Sequence, residues 1–109
     1  HQLPAFQAML TVVEFDKAQP LQSTISPTLS LEASVYEALK LGLADYVNKS
    51  GFPSVVLGLS GGIDSALTLA VAVDALGADR VHAVMMPSEF TADMSIEDAR
   101  EMVNILGVK

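Results

Sequence analysis

Six consecutive residues, Ser60-Gly61-Gly62-Ile63-Asp64-Ser65, bring two hydroxyls, one carboxylate and a glycine pair into a single turn. These residue types can bind an anion. Adjacent glycines reach backbone angles closed to other residues, so successive N–H groups can converge on an oxyanion. The turn leads into an apolar helical pattern that starts at Ile63, and a helix N-terminus offers free donors and the positive end of its dipole. Ser60 and Ser65 add hydroxyl donors. Asp64 repels phosphate unless it holds a hard cation such as Mg²⁺, which takes carboxylate and phosphate oxygens together. Two other nucleotide loops fail here. A G-x-x-x-x-G-K-[ST] loop counted from Gly58 puts Ile63 where its second glycine belongs, and the turn has no lysine. A G-x-G-x-x-G fingerprint meets Ser60 two residues after Gly58. A Gly-Gly turn with an acid in the first helical turn also serves as plain connection and capping. The full string after a buried strand and before a helix favours the phosphate.

The flanking pattern shows what positions this turn. Ser30 is a candidate N-cap and Glu32 suits the positive end of a helix. Leu31, Val35, Ala38, Leu39, Gly42 and Tyr46 then recur at helical spacing, and Gly51 with Pro53 ends the run. Residues 55–59 read as a short apolar strand of a parallel sheet, 63–76 as an apolar helix stopped by Gly77, and 81–86 as a second buried strand stopped by Pro87. Residues 95–106 read as a third helix, opened by a capping box of Ser95 and Asp98 and closed by Gly107. Alternation of this kind predicts an α/β fold with a parallel sheet and right-handed crossovers. Ligands of such sheets lie beyond the carboxyl ends of the strands. Both the 60–65 turn and the 87–95 turn occupy that edge. Upstream, residues 9–13 read as a strand and residues 17–30, with two prolines and several Ser and Thr, as a linker. A first residue other than Met and an end at Leu-Gly-Val-Lys suggest a piece of a longer protein.

With 13 acids against 6 bases the formal net charge is −7, which argues against nucleic acid as a partner. A polyphosphate must therefore be attracted by local dipoles and a divalent cation. The lack of cysteine excludes a disulfide scaffold, a thiolate nucleophile and a Cys-based zinc site, and is compatible with a reducing cytosol. No apolar stretch of about 18 residues points to a membrane span, and residues 1–20 lack the pattern of a signal peptide. His82, inside an apolar strand pattern, reads as structural.

The string Ser-Gly-Gly-Ile-Asp-Ser resembles the PP-loop of the ATP pyrophosphatase family, S-G-G-x-D-S. The resemblance implies an adenine nucleotide alpha hydrolase-like fold, incomplete over this length, and cleavage of ATP between its α- and β-phosphates. The segments LGLSGGIDSALTLAVAVDALG and VHAVMMPSEFTADMSIEDAREMVNILGV are together similar to the NAD synthetase family, over roughly residues 31–109. FQAMLTVVEFD, followed by the linker, resembles the last strand of the nitrilase-like glutaminase domain that precedes the synthetase in glutamine-dependent members. The implied organisation is a glutaminase tail at 1–16, a linker at 17–30 and the first part of a synthetase domain at 31–109.

The implied reaction is amidation of deamido-NAD to NAD through an adenylate, releasing AMP and pyrophosphate, with ammonia drawn from glutamine by a glutaminase domain. The resemblance also implies cytoplasmic location and a homo-oligomer built on synthetase dimers. It places ATP on Gly58, Leu59, Ser60, Gly61, Gly62, Ile63, Asp64 and Ser65, with Asp64 on Mg²⁺ and Met85 and Met86 beside the adenine. Core packing is an equal reading of both methionines. Residues 88–95 are expected to form a mobile loop near the phosphates. No side chain is assigned as a covalent nucleophile, and Gly61→Ala is expected to obstruct the phosphate. Another PP-loop amidotransferase and a non-catalytic nucleotide-binding module stand as the alternatives.

Overall fold

The computed structural model describes residues 2–17, 19–20, 25–87 and 93–109. The chain forms two compact units, His1–Ala38 and Leu39–Lys109. In the first, β1 (Phe15–Asp16) pairs antiparallel with β2 (Gln19–Pro20). Gln2 bridges Ile25, with the Ser26 N–H donating to the Gln2 carbonyl at 2.9 Å. The expected strand at 9–13 does not form, and the hairpin begins only at Phe15. Leu10 and Val12 are 97% and 88% exposed. A β-branched run becomes a strand only where a neighbouring strand completes its ladder, and none lies beside it among the described residues. The expected linker carries β2 and the Ile25 bridge before running irregularly to Ser30.

Helix α1 (Leu31–Lys49) starts as its sequence suggests. The Ala33 N–H donates to the Ser30 hydroxyl at 3.2 Å, and the Ser34 N–H to the Ser30 carbonyl. Hydrogen bonds from its own backbone N–H and from Ser30 hold the Glu32 carboxyl below its ordinary range. The helix ends in a Schellman motif. Gly51 takes φ +73°, the Phe52 N–H donates to the Val47 carbonyl, and the Gly51 N–H to that of Asn48. The stripe of Leu31, Val35, Leu39 and Tyr46 stays more than half exposed, and Val47 is the buried residue of this helix.

In the second unit β3 (Val55–Leu59) and β4 (Val81–Met85) pair in parallel, joined by α2 (Ile63–Leu76) and a 3₁₀ turn at Ala78–Arg80. Val55 registers with Val81, Leu57 with Ala83 and Leu59 with Met85. Side chains alternate along a strand, so these six share one face, and all belong to or pack against a single apolar cluster. Leu69, Ala72 and Leu76 of α2 cover that face, together with Ala99, Met102 and Leu106 of α3 (Asp93–Leu106). Leu69 and Val81 are wholly buried. The other face carries Val56, Gly58, Val84 and Met86, and Val56 is 71% exposed. The open face also carries His82, opposite Val56, and the sheet is covered on one side within the described residues.

Two boundaries differ from expectation. β4 ends at Met85, and α3 starts at Asp93, which supplies the acid of its first turn. Ser95 therefore lies inside the helix, so Ser95 and Asp98 form no capping box there. α3 closes like α1, with Gly107 at φ +67° and the Val108 N–H on the Val103 carbonyl. Val108 is buried in the same core, and the Lys109 carbonyl accepts the Ala83 N–H at 3.0 Å.

Within this unit Arg80 ties the end of α1 and the residues after it to the start of β4. Its Nε donates to the Pro53 carbonyl at 2.9 Å, Nη1 to Asn48 Oδ1 at 2.9 Å and Nη2 to the Phe52 carbonyl at 3.0 Å. Arg80→Ala is expected to cost about 1.5–3 kcal/mol, the range for hydrogen bonds to a charged group. Arg80→Lys should recover little of it, because an ammonium cannot span three acceptors in this fork geometry. Urea denaturation of both variants checks this, and a loss below about 0.5 kcal/mol for Arg80→Ala would show the fork to be an exposed ornament.

Candidate functional site: the turn between β3 and α2

β3 carries Leu59 into the core, and the chain leaves the sheet at Ser60. The next five residues turn it into α2 through bonds among themselves. The Ser60 N–H donates to Ser65 Oγ at 3.2 Å, and the two hydroxyl oxygens lie 3.0 Å apart. The Gly62 N–H approaches Ser60 Oγ at 3.3 Å, and the Ser65 hydroxyl donates to the Gly62 carbonyl at 2.9 Å. Gly62 is the N-cap of α2 with extended angles, and no side chain caps the helix. Its first intrahelical bond runs from the Ala66 N–H to the Gly62 carbonyl. The N–H groups of Ile63, Asp64 and Ser65 thus have no acceptor within the helix.

Gly61 is required by the packing of α3. Its φ is +79°, and the Ser95 carbonyl oxygen stands where a β-carbon would be. The carbonyl carbon and Cα of Ser95 lie 2.8 Å from the same point. The first turn of α3 therefore packs directly on the glycine. Gly61→Ala would strike α3, not merely crowd a phosphate. Gly62 is different: its φ is −88° and a β-carbon there would meet only Ser60 Oγ, at 3.4 Å.

Asp64 is exposed in the first turn of α2, and its carbonyl accepts the Thr68 hydroxyl at 2.8 Å. Among the described residues no three His, Cys, Asp or Glu side chains cluster to form a metal site. Met85 and Met86 separate. Met85 turns to the covered face and packs on the core, whereas Met86 lies on the open face and is 78% exposed. A β-carbon added to Gly58 would lie 3.6 Å from Met86 Cε, so Gly58 and Met86 share the open side. Residues 88–92 of the expected mobile loop lie outside the described residues, and Ser95 is helical.

α3 contributes to this region more than its sequence suggests. A mainly apolar cleft is lined by Gly61, Gly62, Ile63 and Ala66 on one side and by Asp98, Ala99 and Met102 on the other. Ser95, Asp98, Ala99 and Met102 fall at helical spacing on one face. That spacing is legible in the sequence, where the Ser-x-x-Asp pattern reads as a cap instead.

The NAD synthase family model matches residues 35–109. A glutamine-dependent NAD(+) synthetase of Acinetobacter baylyi is 50% identical over 109 residues, and that of Aquifex aeolicus 54% over 78. These matches cover 98% and 72% of this chain but 20% and 14% of the relatives. The chain thus spans about a fifth or less of their length. Among solved structures, a glutamine-dependent NAD+ synthetase from Acinetobacter baumannii, in complex with ADP, superposes with a TM-score of 0.90 at 50% identity, covering 98% of this chain and 21% of that one. An NH3-dependent NAD synthetase from Campylobacter jejuni, in complex with the nitrate ion, superposes at 0.66 with 34% identity, covering 71% of this chain and 33% of that one. Sequence, fold and the turn between β3 and α2 agree: this chain belongs to the NAD synthase family.

Proposed function

We propose that the full-length protein containing this chain converts deamido-NAD to NAD at the expense of ATP, with ammonia drawn from glutamine. One observation carries the reading. At the start of α2 the two serines bond to each other and to the turn, and the Ile63, Asp64 and Ser65 amides have no acceptor within the helix, beside the glycine pair. Those amides and the helix dipole suit the β- and γ-phosphates of ATP. The ADP in the A. baumannii relative supports an adenine nucleotide here. The adenine lies on the open side of the sheet with Gly58 and Met86, while Met85 supports the strand end from within the core.

Asp64 fits a Mg²⁺ site. It is exposed at the helix start, and Mg²⁺ commonly takes one or two carboxylates and fills its remaining positions with phosphate oxygens and water. Such an ion supplies charge neutralisation on the leaving pyrophosphate. The chain's own part is electrostatic and positional. Amides of the turn hold the pyrophosphate end while the nicotinate carboxylate of deamido-NAD attacks the α-phosphorus. Ammonia then displaces AMP from the adenylate. Residues 1–16 form the end of a glutaminase domain, 17–30 the linker and 31–109 the first part of the synthetase domain, in a cytoplasmic homo-oligomer. No helix among the described residues is long and apolar enough to cross a membrane.

The test supplies the full-length protein with Mg-ATP, ammonia and deamido-NAD. AMP, pyrophosphate and NAD should appear in equal amounts and stop together when deamido-NAD is omitted. Formation of ADP and phosphate, or no nucleotide turnover, would overturn the reading. Replacing ammonia by glutamine then tests the front domain separately.

A further inference from the structure

The residues ahead of α1 are tied, not free. Their composition predicts a linker over 17–30, and a free chain of that length lets its ends wander about 20 Å apart. The structure fastens it instead. Ile25 forms a parallel bridge with Gln2, the Ser26 N–H donates to the Gln2 carbonyl at 2.9 Å, and Gln2 Nε2 donates to Thr28 Oγ1 at 3.4 Å. All four residues lie within the first unit. A parallel pairing needs a second reversal of the chain besides the β1–β2 hairpin, and the described residues hold one at the turn of Ala5 and Phe6. Phe6 takes φ +58° there, and Lys17 takes φ +48° in the hairpin. Residues with side chains tolerate that region poorly and stay in it where surrounding contacts hold them. Beyond Thr28 only Leu29 and Ser30 precede α1, so at full extension about 10 Å separates the tie from the helix. The tie also lies outside residues 35–109, the part that the NAD synthase family model matches. The glutamine-dependent A. baumannii structure covers 98% of the chain, whereas the NH3-dependent C. jejuni structure covers 71%.

We propose that this tie is a strap serving glutamine-driven synthesis: Gln2, Ser26 and Thr28 hold the start of α1 close to the end of the front domain, so that ammonia released there reaches the adenylate rather than solvent. This role rests on the organisation proposed above, a glutaminase tail followed by a linker and a synthetase domain. The three are positioning residues and touch no substrate. Hydrolysis of glutamine gives glutamate and ammonia whether or not the strap is closed. The strap governs the share of that ammonia which ends in NAD. Ammonia supplied from solution needs no such path, and the synthetase reaction itself is indifferent to the strap.

The experiment uses the full-length protein and compares NAD formation from glutamine with that from ammonia, with glutamate measured alongside. Ser26→Pro removes the N–H that bonds to Gln2, and Ser26→Ala keeps it. Ser26→Pro should lower the NAD formed per glutamate roughly twofold to tenfold, the span of one net hydrogen bond, and leave the ammonia-driven rate unchanged. Ser26→Ala should leave both unchanged. In the unsubstituted protein the Ser26 amide should exchange slowly with solvent deuterium. If Ser26→Pro does not fold, Gln2→Ala combined with Thr28→Ala carries the same comparison by removing the side-chain tie alone, with a smaller shift in the same direction. An unchanged ratio of NAD to glutamate in the folded variant would overturn the proposal. So would an equal fall of both rates, since the substitution would then act on the synthetase site or on the fold. A Ser26 amide that exchanges as fast as an unstructured one would overturn it as well. An unsubstituted protein that used ammonia but not glutamine would instead refute the front-domain reading, and that failure is visible before any substitution is made.

Discussion

Gly61→Ala should destabilise the protein and abolish ordered nucleotide binding together, while Gly62→Ala one residue away should do neither. At Gly61 two penalties coincide. A residue with a β-carbon held at φ +79° costs about 1–2 kcal/mol. The Ser95 carbonyl also occupies the β-carbon position, so the first turn of α3 must move. Overpacking against backbone adds about 1–3 kcal/mol. The total is about 2–5 kcal/mol, a large part of a typical domain's stability. The displaced turn should weaken ATP by at least about tenfold, since its amides would no longer converge. Gly62→Ala places its β-carbon 3.4 Å from Ser60 Oγ at an ordinary φ, and as an N-cap change it costs about 1 kcal/mol or less. Thermal denaturation and ATP titration of both variants provide the check. Equal stability of the two would show that the contact with α3 yields freely.

Asp64→Asn should separate function from folding more sharply. The side chain is exposed, and its loss of charge at the start of α2 costs only about 0.3–1 kcal/mol through the helix dipole. Turnover is a different matter. Asparagine keeps the shape but binds Mg²⁺ poorly, and charge stabilisation by a metal is worth several kcal/mol in the transition state. Pyrophosphate release at saturating ATP should fall roughly a hundredfold or more, equivalent to about 2.7 kcal/mol. The Mg²⁺ concentration for half-maximal activity should rise as well. Turnover within twofold of the unsubstituted protein, at the same Mg²⁺ dependence, would remove Asp64 from the metal.

The elements that hold the turn were legible because each is specified locally. Ser30 caps α1, Gly51 and Gly107 close two helices, and the apolar runs at 55–59 and 81–85 pair in register. Contacts between elements were not legible in this way. The need for glycine at 61 comes from a helix that starts thirty-odd residues later, and the Ser-x-x-Asp pattern in that helix suggested a cap instead. Met85 and Met86 looked like one feature in the sequence. Strand alternation places them on opposite sides of the sheet. The apolar stripe of α1 has the right period but remains exposed, because period alone does not name the surface that covers it. The run at 9–13 failed for the corresponding reason in a sheet: propensity without a neighbour makes no strand.

The bond from the Ala83 N–H to the Lys109 carbonyl also bears on the direction in which the sheet winds. It puts the chain leaving α3 beside β4, on the edge away from β3. Two successive crossovers thus step the same way, and right-handedness then requires α2 and α3 to lie on one face, as they do. Helices on the opposite face require strands that step the other way, outward from the free edge of β3. If the full-length protein adds strands there, the order reverses at β3, and such a reversal opens a crevice at the carboxyl end of the strand where it occurs. In that case the end is Leu59, and Ser60 to Ser65 are the residues that follow it directly.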